Sequence, residues 1–437
     1  EHARVIRDIE KEKLLASVDE ITGGELANVN SRPQLIAYAK KYGYILKNTQ
    51  KEYLAEVLED KTLPEKVKQI VEIRTQTSKT SIAKYDSLVG IVDKEDSRAR
   101  GLLRFHGAST GRWSGNLFQP QNLTRPTLKD PEGAVELFKY EDPELLDMTY
   151  GAPMEVLSSC VRSMIQAEKG KRFLVCDFAA IEARVLAWLS GQQDLVQLFA
   201  EGGLVYENQA GKIYGKPSEK IRGDERMVGK VAILALGYQG AVGAFQQMAK
   251  NYGVKVSDDF ALKVVQSWRK ANSKIVKFWY DIDRAAQNAV LNPGTTYKCR
   301  MIKFRVANGF LFCRLPSGRL ISYYKPTMRE GKFGKDQIHF LGTNSTTKHF
   351  GLMNTYGGKL VENITQAVAR DLMAASMLKV DPLGYEIVLT VHDEIIAEVD
   401  EGVGTLEEFK KLMCELPTWA EGLPLDGDGY EAKRYRK

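Results

Sequence analysis

Residues 385–399 read YEIVLTVHDEIIAEV. Two apolar, β-branched runs, 387–391 and 395–399, flank the polar triplet His392-Asp393-Glu394, a pattern that predicts a β-hairpin. A purely structural tip favours Asn-Gly or Asp-Gly, whereas this one is acidic. A second segment poses the same problem. Residues 173–184 read FLVCDFAAIEAR, and the apolar run 173–176 predicts a buried strand that ends on Asp177. A carboxylate removed from water is costly unless it is paired or bound to a metal. Two such carboxylates side by side also repel each other.

A pair of Mg²⁺ ions removes that repulsion, since hard cations take carboxylate oxygens. Metals about 3.5–4 Å apart can stabilise the attacking and leaving oxygens of an in-line phosphoryl displacement. Asp177 could instead cap a helix whose first turn holds residues 179–182, a reading that leaves Asp393 without an account. A metal-dependent phosphohydrolase built on His392-Asp393 needs further histidines. His2, His106, His339 and His349 show no metal-site spacing.

Between the two carboxylates lies DERMVGKVAILALGYQG, residues 224–240. Arg226, Lys230, Leu234 and Tyr238 recur every four residues, which predicts one stripe along a helix. The cations suit a triphosphate, and the aliphatic and aromatic positions suit a sugar and a base. An exposed helix with two basic residues and two core contacts has the same pattern. Upstream, GLLRFHGASTGRWSGNLFQPQNL (101–123) sets Arg104 and Arg112 among small residues that let backbone approach a ligand closely.

Length and composition bound the rest. A chain of 437 residues exceeds one ordinary hydrophobic core, so two or three subdomains are expected. With 43% hydrophobic and 27% charged residues it reads as folded, and no apolar run is long enough for a membrane helix. The five cysteines lie far apart without a C-x-x-C pair, which fits a reducing compartment better than a disulfide framework. A formal charge of +6 is compatible with a polyanionic partner. The first hundred residues read as helices. One is expected to be capped by Ser31, to begin near Pro33 and to stop at Gly43. Lys66, Lys68, Arg74, Lys79 and Lys84 then form either a solvated face or a phosphate-gripping arm. Residues 184–290 read as mostly helical, and 295–345 as mixed, with strand-like runs at 310–315 and 320–324.

Taken in order, these segments resemble DNA polymerase family A, especially its shorter phage-type members. DFAAIEAR (177–184) resembles the first palm motif, RMVGKVAILALGY (226–238) the nucleotide-binding motif of the fingers, and VHDE (391–394) the second palm motif. TGRW (110–113), QPQN (119–122) and ENITQAVARD (362–371) also fit. The resemblance implies an α+β right-hand fold with a helical thumb, mostly helical fingers and an antiparallel-sheet palm. It divides the chain into 1–100 (N-terminal segment and thumb), 101–189 (first part of the palm), 190–350 (fingers) and 351–437 (second part of the palm).

It further implies template-directed DNA synthesis with two Mg²⁺ ions, for which Mn²⁺ can substitute. Asp177, Asp393 and the backbone carbonyl of Phe178 would hold the metals. Arg226 and Lys230 would grip the triphosphate, with Lys230 assisting the pyrophosphate leaving group. Leu234, Tyr238 and His392 would line the dNTP site, and Glu182 would exclude a ribose 2′-hydroxyl. Arg112, Gln121, Asn122, Gln366, Lys79 and Lys84 would contact primer-template DNA, and Glu394 and Arg184 would support the site.

Four departures stand out: Leu234 where an aromatic is common, Gln239 for a glycine, Ala179-Ala180 for a more polar pair, and Glu362 for an amide. The chain carries no D-x-E exonuclease signature in a strand context, so it is expected not to proofread. It is expected to act as a monomer in the cytoplasm of a bacterial cell or phage-infected host, with replication accessory proteins among its implied partners. Two alternatives remain. A single-subunit RNA polymerase shares the aspartates and the cationic helix, but a bulky Glu182 fits dNTPs. A non-catalytic primer-template-binding protein would not need Asp177, Asp393, Arg226 and Lys230 together.

Overall fold

The computed structural model describes residues 1–331 and 334–436. Packing divides the chain into two compact units. The first comprises residues 1–104, 114–173 and the terminal stretch from Ala432; the second comprises 105–113 and 174–431. The segment 101–189 therefore contributes to both.

The first unit is helical. It holds α1 (His2–Thr22), α2 (Arg32–Lys41), α3 (Lys51–Leu58), α4 (Glu65–Thr77) and α5 (Lys84–Val89). A two-residue ribbon of β1 (Leu103–Arg104) and β2 (Ser114–Gly115) follows, then α6 (Pro131–Leu137), α7 (Pro143–Tyr150) and α8 (Pro153–Cys160). Ser31 does occupy the N-cap of α2, but its hydroxyl makes no capping bond. Two apolar cores stabilise the unit. Val29, Leu35, Val67 and Ile70 centre one, and Phe118, Leu146, Val156 and Leu157 the other.

The main part of the second unit starts within β3 (Lys171–Phe178), whose first three residues belong to the first unit. Helices α9 (Ile181–Ser190), α10 (Gln193–Ala200), α11 (Val205–Tyr214), α12 (Gly223–Leu236), α13 (Val242–Asn251), α14 (Asp258–Ala271) and α15 (Ser273–Leu291) follow. Strands β4 (Tyr297–Cys299), β5 (Ile302–Ala307), β6 (Phe310–Arg314), β7 (Leu320–Glu330), β8 (Asp336–Thr343) and β9 (Phe350–Thr355) form an antiparallel meander. The mixed reading of 295–345 thus becomes one continuous sheet. Helix α16 (Gly357–Val380) leads to the hairpin β10 (Glu386–Val391) and β11 (Glu394–Asp400), then α17 (Leu406–Cys414) and β12 (Gly427–Ala432).

A four-stranded sheet in the order β10-β11-β3-β12 places the hairpin beside β3. Both faces of β11 are covered: Ile395, Ile396, Ala397 and Val399 are buried, and each large aliphatic side chain contributes about 1.5–3 kcal/mol by leaving water. No described helix is long and apolar enough to cross a membrane, and all five cysteines are free thiols.

Candidate active site

Strand β3 runs through Phe178, so Asp177 is its penultimate residue and is half-buried. The Phe178 N–H donates to the Asp393 carbonyl at 3.2 Å, which brings the end of β3 to the hairpin tip. On the other side the Ala179 N–H donates to the Asp426 carbonyl at 2.9 Å. Glycines let β12 lie this close: a Cβ on Gly429 would stand 2.3 Å from the Val175 oxygen. The helix-cap reading of Asp177 is not realised, because α9 begins at Ile181 and its N-cap is Ala180, without a side-chain capping bond.

The hairpin turns on two residues, His392 and Asp393, since Glu394 already pairs with Val391. His392 is exposed at φ +56°. Ala180 (φ +48°) and Gln239 (φ +66°) are also left-handed. A non-glycine residue costs roughly 1–3 kcal/mol in that region, and such strain concentrates where a chain must aim a functional group. All three adjoin residues of the candidate site.

Arg112 joins the acidic groups. Its Nη1 donates to Glu182 Oε1 at 2.8 Å, and its Nη2 donates to Asp393 Oδ1 and Oδ2 at 3.1 and 3.3 Å. Tyr238 donates its hydroxyl to Glu182 Oε2 at 2.8 Å, completing the series Asp393–Arg112–Glu182–Tyr238. Burial pushes the Asp393 carboxyl up, Arg112 opposes it, and the charges of Glu182 and Asp177 add to the rise. The Asp393 side chain keeps 19% of its exposure, so a ligand can reach it. Burial works against the Arg112 charge, and the two carboxylates more than offset it.

A network invisible in the sequence holds the Arg112 loop. Arg319 donates from Nε to Asp371 Oδ1 at 2.6 Å, and from Nη2 to the Thr110 and Ala367 carbonyls at 2.9 and 3.0 Å. Arg370 lies over the Trp113 ring, 4.8 Å from its centroid. The loop 105–113 is thereby fixed on α16.

Helix α12 buries Val228, Val231, Ala232 and Leu236 and leaves Arg226 and Leu234 exposed, with Lys230 half-buried. It ends at Leu236, so Tyr238 stands in the turn beyond the helix and not on its last turn. A Cβ on Gly229 would meet the Tyr206 oxygen at 2.1 Å, so α12 and α11 pack closely only because that residue is glycine. This closeness gives the cations unforeseen partners. Arg226 donates from Nε to Glu207 Oε1 at 2.6 Å and lies over Tyr206, and Lys230 Nζ lies 5.0 Å from the Tyr252 ring centroid.

The family model for DNA polymerase family A matches residues 6–426. The chain belongs to DNA polymerase family A. It is 40% identical over 429 residues to a DNA polymerase of Bacillus phage SP02, covering 97% of this chain and 65% of that protein. It is 26% identical over 290 residues to the thermostable DNA polymerase I of Thermus filiformis, covering 65% of this chain and 28% of that one. The chain thus spans less than two thirds of these relatives' length. In fold it is similar to the POL domain of Pol1 from M. smegmatis, solved in complex with DNA primer-template and dNTP. That match has a TM-score of 0.67 and 17% identity, and covers 99% of this chain and 66% of that one.

The remaining expected residues of this family A chain are distributed as follows. Arg184 is buried and braces the β3–α9 connection, donating to the carbonyls of Ala179 and Pro424, each at 2.8 Å. Glu394 is buried in β11, and Gln366 is half-buried on α16. Gln121 and Asn122 lie in the first unit, in a 3₁₀ turn spanning Pro120–Asn122. Lys79 and Lys84, also in the first unit, are engaged internally. Lys79 Nζ lies 2.5 Å from Glu155 Oε1, and Lys84 Nζ donates to the Phe118 carbonyl at 2.7 Å. Burial lowers the Lys84 ammonium pKa.

The donor set suits magnesium better than zinc. Among the described residues no group of three or more His, Cys, Asp or Glu forms a metal cage. Mg²⁺ commonly takes one or two carboxylates and completes its shell with water and substrate phosphates, and Asp177 and Asp393 supply such a pair. Burial is the main cause of the raised Asp393 carboxyl, with the Glu182 and Asp177 charges adding to it, and a bound divalent cation would favour the ionised form.

Proposed function

We propose that the chain is a template-directed DNA polymerase that adds deoxynucleotides to a primer 3′-hydroxyl and releases pyrophosphate. The observation that carries this reading is the junction of Asp177 and Asp393 at the Phe178–Asp393 backbone bond, with Arg112, Glu182 and Tyr238 ranged around it. When bound at the two aspartates, Mg²⁺ supplies charge neutralisation for the attacking and leaving oxygens, and Mn²⁺ can replace it.

This chain's own residues do the positioning. Arg226 and Lys230 bind the triphosphate, exchanging Glu207 and the Tyr252 face for phosphate oxygens, with Lys230 beside the leaving pyrophosphate. Leu234 and His392, both exposed, contact the nucleotide. Glu182 is held upright between Arg112 and Tyr238, where a carboxylate blocks a 2′-hydroxyl. Arg112 favours the ionised form of Asp393 and turns to the primer end once that carboxylate is otherwise neutralised. Gln366, Gln121 and Asn122 contact primer-template DNA, and Lys79 and Lys84 do so by exchanging their internal partners for phosphates, with salt-dependent affinity. The reading places the protein at DNA replication or repair in a bacterial cell or phage-infected host.

Primer extension on a defined template tests it, with four dNTPs or four rNTPs and Mg²⁺. Templated extension with dNTPs alone, abolished in Asp393→Ala, is the expected result. Equal use of rNTPs would favour an RNA polymerase, and binding without extension would leave a primer-template-binding protein.

A further inference from the structure

We infer that Gln239 is a positioning residue for nucleotide selection: its side chain ties the turn carrying Tyr238 to the N-terminus of α16, and so sets where Tyr238 and Glu182 stand. The inference rests on the polymerase reading for its consequence, but not for the tie itself.

Gln239 adopts φ +66°, a conformation that glycine takes freely and glutamine does not. A compensating contact is visible. Gln239 Oε1 accepts a hydrogen bond from the Gly358 N–H at 3.0 Å, across 119 residues of sequence. Gly358 is the second residue of α16, where the first N–H groups have no partner within the helix. The N-cap residue, Tyr356, makes no side-chain capping bond. The cap comes from another element instead: Gln239 serves Gly358.

The approach is close enough to fix the turn. A Cβ on Gly358 would stand 2.5 Å from both the Tyr238 carbonyl oxygen and Gln239 Cβ. One residue before Tyr238, the Gly237 carbonyl accepts from Trp279 Nε1 at 2.8 Å. Tyr238 is therefore flanked by two anchored neighbours, Gly237 on α15 and Gln239 on α16. Its hydroxyl is directed at Glu182 Oε2, 2.8 Å away. A glycine at 239 would allow the same backbone but carry no acceptor, so this side chain adds a restraint at the nucleotide site.

The test compares the parent with Gln239→Met, which keeps length and loses the acceptor, and Gln239→Glu, which keeps an acceptor facing a helix N-terminus that favours negative charge. Hydrogen exchange followed by mass spectrometry reads the tie without any nucleotide. Amides 357–360 should exchange faster in Gln239→Met and at the parental rate in Gln239→Glu. Single-nucleotide incorporation reads the consequence. The ratio of kcat/KM for dNTP over rNTP should fall roughly fivefold to tenfold in Gln239→Met, the effect of one lost neutral hydrogen bond. It should fall chiefly through a raised KM for dNTP, and Gln239→Glu should restore it. If Gln239→Met does not fold, Gln239→Gly, which bears no left-handed cost, should show the same losses. Unchanged exchange in Gln239→Met, or equal loss of selectivity in Met and Glu variants, overturns the inference. A parent that extends no primer overturns the polymerase reading instead, while the exchange experiment still decides the tie.

Discussion

The Tyr238 hydroxyl donates to Glu182 Oε2 at 2.8 Å, while Arg112 holds the other carboxylate oxygen at 2.8 Å. Both oxygens of the expected sugar gate are therefore restrained. Burial and the adjacent Glu182 charge push the Tyr238 phenol well above its usual range, so it remains a donor at any working pH. Glu182→Ala removes the obstruction and both anchors' common partner. Ribonucleotide incorporation should rise by about tenfold or more, since rejection by a shaped site is lost with the group that shapes it. Incorporation of single rNTPs opposite each template base checks it, and an unchanged rNTP rate would remove Glu182 from the gate.

Arg112 is the cation that bonds to both Asp393 and Glu182. Arg112→Met preserves much of the stem's packing and leaves two partly buried carboxylates beside Asp177 without it. Breaking such a pair from one side costs about 3–5 kcal/mol when fully buried; with these side chains 19–33% exposed, about 1–3 kcal/mol is expected. Urea denaturation midpoints at pH 8 give the value. A midpoint equal to the parent's would mean that solvent already screens the carboxylates.

Asp177 and Asp393 should matter for metal binding and little for folding. Asp177→Asn and Asp393→Asn are each expected to reduce extension by about a thousandfold or more, as for removal of a main electrostatic contributor to phosphoryl transfer. Ligand linkage separates this from misfolding: Mg²⁺ should raise the parent's melting temperature and have a weaker effect on either variant. EDTA should stop parental extension, and restored Mg²⁺ should restart it. Equal thermal shifts in parent and variants would place the ion elsewhere.

How much of this was legible follows the distance between partners in the chain. The β10–β11 hairpin and the apolar strand into Asp177 are local patterns, and both formed as their residues suggest. The four-residue spacing also found α12, but extended it to Tyr238; the helix stops at Leu236 and Gln239 turns left-handed. Strand β7 was visible only over 320–324, because a register shift between Tyr324 and Thr327, at Lys325 and Pro326, breaks the period of two. Arg112 reaches partners 70 and 281 residues away, and Arg226 finds Glu207 because Gly229 lets two helices touch. No pattern within a window of the sequence encodes those meetings.

Asp283 offers a pH test outside the aspartate pair. Burial pushes its carboxyl up to about 6 from an ordinary 3.8, although Gln287 and the Gly357 backbone both favour the ionised form. An acid with a higher pKa in the folded state binds its proton more tightly there. Its unfavourable contribution is therefore absent below about pH 3.8 and complete above about pH 6. At full value such a shift corresponds to about 3 kcal/mol; Asp283 is only partly buried, so about 1–2 kcal/mol is expected. Asp283→Asn should accordingly be more stable than the parent at pH 8, with the advantage shrinking through pH 6 and gone near pH 4. Denaturation midpoints at those three values check the sign. A variant less stable than the parent at pH 8 would show that the ionised carboxylate, lying near the N-terminus of α16, gains more there than its desolvation costs.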